Sequence, residues 1–166
     1  MSSNRRDFLK KGSLGVLAAS IIPFISKASN TATCEATTED ILGPFFSEGA
    51  PETNSIVPLD YDGERLFLNG RLSNTSCEDG IANVLLDFWQ ADENGDYDND
   101  GFKFRGKVLT DADGNYNLET IIPGKYLNGS NYRPAHIHLK VQAAGYEDLV
   151  TQIYFEGDVD IPFDPS

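Results

Sequence analysis

Two histidines occur in the 166-residue sequence, His136 and His138, and they stand two positions apart. In a strand, side chains at i and i+2 leave on one face, about 6.5–7 Å apart along the backbone. Two imidazoles so placed can converge on one metal ion, each through a bond of about 2 Å. Ile137, Leu139 and Val141 then take the opposite face, toward a core. By itself His-x-His more often marks packed or surface histidines than a metal site, and two imidazoles are too few to hold an ion tightly. The chain has no other histidine, so further ligands must be Cys, carboxylate or Tyr.

Of the seven tyrosines most must be packing residues, but two stand out. Tyr126 follows Pro123-Gly124-Lys125 and precedes His136 by ten residues; Tyr97 follows the turn Asn94-Gly95-Asp96, just past Trp89-Gln90. Both read as loop residues at strand ends, where sites are commonly built. Pro134 holds Arg133 extended as it leads into the histidine strand, which sets a guanidinium beside any bound metal. A rival motif is Asp96-Tyr97-Asp98-Asn99-Asp100-Gly101, the first half of a calcium loop. Its twelfth position, where a bidentate acid belongs, is Lys107, and no helices flank it. A solvated acidic turn is the better reading.

The elements that must carry these residues are short strands. Beyond a polar, turn-rich stretch at 29–55, interrupted by the apolar patch Ile41 to Phe46, candidate strands are 64–73, 82–91, 104–110, 115–122, 135–143 and 148–156. They alternate in polarity, as Val84, Leu86 and Phe88 do against Leu85, Asp87 and Trp89, and Gly, Asn and Asp turns separate them. That spacing predicts an all-β sandwich in a single domain, without sustained helical periodicity or internal repeats.

Charge and the N-terminus narrow the partners. The formal net charge is -13, yet five of the 13 Lys and Arg lie in the first 28 residues beside one acid, leaving 8 basic against 25 acidic groups. A domain so acidic repels nucleic acid and anionic membrane surfaces. Arg5-Arg6-Asp7-Phe8-Leu9-Lys10, the apolar run Leu14 to Ile25 and Ser26-Lys27-Ala28 read as a signal peptide over 1–28 of twin-arginine type. The run falls short of the roughly 20 residues that span a bilayer. The expected mature domain is 29–166, exported to the periplasm or the extracellular space. In that oxidising setting an even count favours pairing of Cys34 with Cys77, the only two cysteines, over two buried thiols.

Five segments in order resemble the intradiol ring-cleavage dioxygenases: Gly43-Pro44-Phe45-Phe46; Trp89-Gln90-Ala91-Asp92 with Gly95-Asp96-Tyr97; Thr120-Ile121-Ile122-Pro123-Gly124-Lys125-Tyr126; Arg133-Pro134-Ala135-His136-Ile137-His138; and Thr151-Gln152-Ile153-Tyr154-Phe155-Glu156-Gly157-Asp158. The resemblance runs from about residue 38 to 160. It implies a Greek-key β-sandwich and an iron(III) ion held by Tyr97, Tyr126, His136 and His138. Phenolate oxygen and imidazole nitrogen suit the trivalent ion. It further implies a catechol substrate cleaved by dioxygen between its hydroxyl-bearing carbons, giving a cis,cis-muconate. Tyr126 would take a catechol proton, Arg133 would stabilise negative charge on the ring, and Gln152 would position substrate. Self-association into a homo-oligomer is compatible with this reading. Domains of the family continue with further strands beyond the segment matching Glu156-Gly157-Asp158, whereas this sequence stops at Pro165-Ser166. Two other functions stay open on the residues alone: a β-sandwich binding module without turnover, and a copper or zinc site on the two histidines.

Overall fold

The computed structural model describes residues 34–164, so the export signal read in residues 1–28 lies outside the described residues. Alternation of apolar side chains sets the architecture. In β2 (Leu85–Gln90), Leu86 and Phe88 point one way and are fully buried. Ile137, Leu139 and Val141 of β7 (His136–Val141), Val108 of β3 (Arg105–Leu109) and Leu118 of β4 (Asn115–Thr120) meet them in one core. Each side chain removed from water in this way contributes roughly 1.5–3 kcal/mol.

The strands form a sandwich, every pair antiparallel. One layer has the order β3-β2-β7-β8, with β8 spanning Leu149–Tyr154; the other pairs β1 (Leu66–Arg71) with β4. The chain passes between layers after β1, after β3 and again before β7. A strap at 51–56 joins the layers at one side. The Thr53 amide donates to the Lys107 carbonyl at 2.8 Å on β3, and the Ile56 amide donates to Glu119 at 3.0 Å on β4. Ile56 itself enters the core.

All six expected strands form, with ends trimmed by up to three residues. Two more were not expected: β5 (Tyr126–Asn128) and β6 (Asn131–Arg133) make a hairpin in what reads as a loop. Tyr126 therefore opens a strand, directly opposite Arg133, and does not lie in a loop. Strands of three residues are too short to show alternation, and the hairpin leaves Leu127 and Tyr132 in solvent. A second difference is that Asp87 and Trp89, on the face of β2 away from the core, are also buried. Something covers that face.

The cover starts with the N-terminal segment. Its Asp40 amide donates to Val150 at 2.8 Å and its Thr38 carbonyl accepts from the Thr151 hydroxyl at 2.9 Å, which docks it along β8. Its first described residue is tied down by a Cys34–Cys77 disulfide, with Cα atoms 5.8 Å apart and a sequence separation of 43. Closing a loop of that length restricts the unfolded chain, so replacing both cysteines with serine should lower stability by about 2–4 kcal/mol in urea unfolding. Two alkylated thiols in the unreduced protein would show instead that the bridge does not form.

Candidate metal centre

Strand register assembles the centre. Across the four-stranded layer, Arg105 faces Trp89, Trp89 faces His138, and His138 faces Gln152. All four project from the face opposite the core, because β7 turns Ile137 and Leu139 inward. One step along the same face, His136 pairs with Tyr154. The imidazoles end with ring centroids 4.9 Å apart, and the His138 ring stacks on Trp89 at 4.7 Å and 6°.

The loop before Tyr97 and the segment leading into β5 bring the tyrosines over this row. They pack back to back through glycine: the Gly124 amide donates to the Asp92 carbonyl at 2.7 Å. A Cβ on Gly124 would come within 2.5 Å of Glu93 O, and one on Gly95 (φ +91°) within 2.5 Å of Lys125 O. Only residues without a side chain allow that approach. Tyr97 Oη then lies 3.3 Å from His136 Nε2, a spacing expected of two donors each about 2 Å from one ion. The Tyr97 ring centroid is 5.8 Å from that of Tyr126 and 6.3 Å from that of His138, and Tyr126 is 5.8 Å from His136.

The donors are in suitable states. His136 Nδ1 donates to the Pro134 carbonyl at 2.7 Å, so its proton is there and Nε2 presents a lone pair. Burial holds both imidazoles neutral: it lowers the pKa of His136, with the Pro134 carbonyl opposing, and drives that of His138 down to about 2, helped by His136. Burial, then the neighbouring Tyr126, raises the Tyr97 phenol well above its ordinary range, so a metal has to expel that proton. His138 Nδ1 is buried without a hydrogen-bond partner among the described residues. Among those residues no three His, Cys, Asp or Glu side chains gather to hold an ion. An N2O2 set of this kind fits a hard trivalent metal.

Arg133, from β6, sits beside Tyr126 with Nη1 3.4 Å from its hydroxyl. Asp164 grips the same guanidinium side-on, at 2.9 Å to Nε and 2.8 Å to Nη2. Burial acts against the Arg133 charge, but the bonds to Asp164 and Tyr126 outweigh it and hold the proton more tightly than on a free arginine. The Gln152 amide is engaged at both ends, accepting from Arg133 at 3.0 Å and donating to Asp40 at 2.9 Å. The Tyr154 hydroxyl is 3.0 Å from Asp164 and 3.2 Å from Asp40. Lys125, next to Tyr126, pairs with Asp158 and Asp160, which anchors the segment leading to Asp164.

A lid closes the face. Gly43 (φ +73°) brings the backbone so near His138 that a Cβ there would lie 3.4 Å from Cε1. Phe45 stacks on Tyr97 at 4.2 Å and 11°, and Phe46 meets the edge of Trp89 at 5.0 Å.

The structure thus brings together all six residues the sequence singled out: Tyr97, Tyr126, Arg133, His136, His138 and Gln152. Asp98 of the rejected calcium loop spends its carboxylate on the amides of Asp100, Gly101 and Lys103. Sequence reasoning missed Asp40, Arg105, Tyr154 and Asp164. Tyr154 lay within a noted segment; the two acids had no local signal in a chain with 26 of them.

Comparison with known proteins agrees with this geometry. The family described as Dioxygenase matches residues 41–166. Chlorocatechol 1,2-dioxygenase of Rhodococcus opacus is 33% identical over 148 residues, covering 74% of this chain and 57% of that protein. Catechol 1,2-dioxygenase 2 of Acinetobacter lwoffii is 32% identical over 180 residues, covering 90% and 64%. This chain therefore spans less than two thirds of the length of these curated relatives. Among solved structures, one similar chain is the dioxygenase domain of a dioxygenase and carbohydrate-binding protein fusion from the cellulolytic bacterium Streptomyces sp. SirexAA-E. It is 41% identical with a TM-score of 0.68, over 79% of this chain and 84% of that one. A 3-chlorocatechol 1,2-dioxygenase from Rhodococcus opacus 1CP gives 35% identity and a TM-score of 0.69, over 74% and 57%.

The Arg133–Asp164 pair makes a measurable demand. Its side chains are only 4% and 6% exposed. Asp164→Ala leaves a buried guanidinium without its carboxylate and should cost about 3–5 kcal/mol in denaturant unfolding of the metal-free protein. A loss under about 1 kcal/mol, the size of an exposed pair, would show that the other partners of Arg133 suffice.

Proposed function

This chain belongs to the intradiol dioxygenase family, and we propose that it binds iron(III) through Tyr97, Tyr126, His136 and His138 and opens a catechol ring with dioxygen to a cis,cis-muconate. The observation that carries this reading is the convergence of two phenols and two neutral imidazoles on the buried outer face of one sheet, with Tyr97 Oη 3.3 Å from His136 Nε2. The relatives named as catechol and chlorocatechol 1,2-dioxygenases support the substrate class. When bound, iron(III) supplies a Lewis acid that draws electron density from a chelated catecholate.

The protein's own residues supply the rest. Tyr126 Oη accepts one catechol proton as substrate enters, and the Arg133 guanidinium, 3.4 Å away, favours negative charge at that position. Gln152 acts by fixing Arg133, since its carbonyl oxygen is already bound to that guanidinium. Tyr97, stacked under Phe45, stays in place through the reaction. Phe45, Phe46 and Trp89 keep bulk water from the centre, which strengthens every electrostatic interaction there.

Purified, iron-loaded protein should take up oxygen in the presence of catechol and show a red to burgundy phenolate charge-transfer band. Tyr97→Phe and Tyr126→Phe should each shift that band, and Arg133→Ala should keep the resting colour while depressing turnover by roughly 10²-fold or more. Copper or zinc found in place of iron on metal analysis would favour a different site on the same histidines, and colourless, metal-free protein a binding module without turnover. Unchanged parental spectra in both iron-loaded Tyr→Phe variants would remove the tyrosinate assignment.

We also propose export by the twin-arginine route. The motif at Arg5-Arg6 motivates it, and the Cys34–Cys77 disulfide suits an oxidising compartment. Replacing Arg5 and Arg6 with lysine should leave folded protein in the cytoplasm on cell fractionation. Normal delivery of that variant outside the cytoplasm would defeat the proposal.

A further inference from the structure

Two guanidiniums are buried at the centre, and they are held differently. Arg133 has a carboxylate; Arg105, only 2% exposed, has no ion-pair partner among the described residues. Its Nε donates to the Asp98 carbonyl at 3.0 Å, its Nη1 donates to the Phe45 carbonyl, and its Nη2 is buried without a partner. Asp98 offers its carbonyl to the guanidinium, while three backbone amides hold its carboxylate, which reaches Arg105 only as a nearby charge and not as an ion pair. Burying a cation on these terms is costly, and a methionine would fill similar space without the penalty.

We infer that Arg105 is a positioning residue for Tyr97, clamping the loop that carries this tyrosine to the segment that stacks Phe45 against it. The inference rests on the reading of Tyr97 as a ligand. Asp98 follows Tyr97 directly, and Phe45 lies face to face with its ring at 4.2 Å. The planar fork of one guanidinium thus joins the segment of Phe45 to the loop of Tyr97, with its Cζ 5.9 Å from the Tyr97 centroid. A lysine, with a single point-like donor group, cannot hold both carbonyls in a fixed geometry. The backbone is bent to put Arg105 there. Phe104, just before it, is buried at φ +53°, a conformation bulky residues rarely adopt, and is held by bonds from its amide to Ile56 and from the Gln90 amide to its carbonyl.

Arg105→Met and Arg105→Lys test the clamp in two steps. In the metal-free protein, amide hydrogen exchange over 43–46 and 96–100 should quicken about fivefold in both variants, as expected when a hydrogen bond is lost, with β7 and β8 unchanged. In iron-loaded protein of equal metal content, the visible band should be displaced in both. Parental exchange over both segments would overturn the inference. So would altered exchange with an unaltered band at full iron content, since Arg105 would then be merely structural. Full rescue by lysine would overturn the clamp as well. If Arg105→Met does not fold, Arg105→Lys decides alone. If the parent protein takes no coloured iron, the proposed function fails, while the exchange result still judges the clamp.

Discussion

The two-faced character of β7 is the constraint on which the centre depends. Ile137, Leu139 and Val141 belong to the sandwich core, so His136 and His138 have no choice but the other side. A slip of one residue in its pairing would drive both imidazoles into hydrocarbon and expose three core side chains. The hydrophobic effect, acting on residues without any chemistry of their own, therefore holds the register Trp89–His138–Gln152. The polar row exists because the apolar row beneath it cannot move.

A polar row on the outside of a sheet would ordinarily be wet. Here it is covered, and covering it creates a problem of satisfaction, because buried polar groups without partners are costly. Most are provided for in pairs: His136 by the Pro134 carbonyl, Gln152 by Arg133 and Asp40, and Arg133 by Asp164. Among the described residues four buried side-chain atoms are left without a partner; three lie around the centre, at His138 Nδ1, Trp89 Nε1 and Arg105 Nη2, and the fourth is Arg65 Nη1. That pattern differs from a core that has simply enclosed a few polar side chains.

The residues over the sheet come from distant parts of the chain, and short, local devices secure each part. Glycine contact between Gly95 and Gly124 joins the two segments that lead to the tyrosines. The Lys125 pairs with Asp158 and Asp160 hold the segment that ends in Asp164. The disulfide fixes the start of the segment that becomes the lid. Each device acts on backbone that has little core of its own, which is where a tether contributes most.

Much of this was legible in the sequence. Alternation along 82–91 and 135–143 determined the strands and told which face of β7 carries the histidines, because period-two patterning is a local property. The set Tyr97, Tyr126, Arg133 and His136-Ile137-His138 was legible through the ordered motifs that resemble the family, whereas turn residues alone put Tyr126 in a loop. What only the tertiary structure decided were pairings between segments far apart in the chain. The β5–β6 hairpin was too short for any period to appear. Asp164 and Asp40 were two acids among 26, without local context to separate them from solvated ones. Arg105 read as the start of a strand; its fork onto the carbonyls of Phe45 and Asp98 depends on a lid and a loop that meet only after folding. Spacing along a chain encodes which face a side chain takes, but which distant backbone lies against that face is settled only when the layers close.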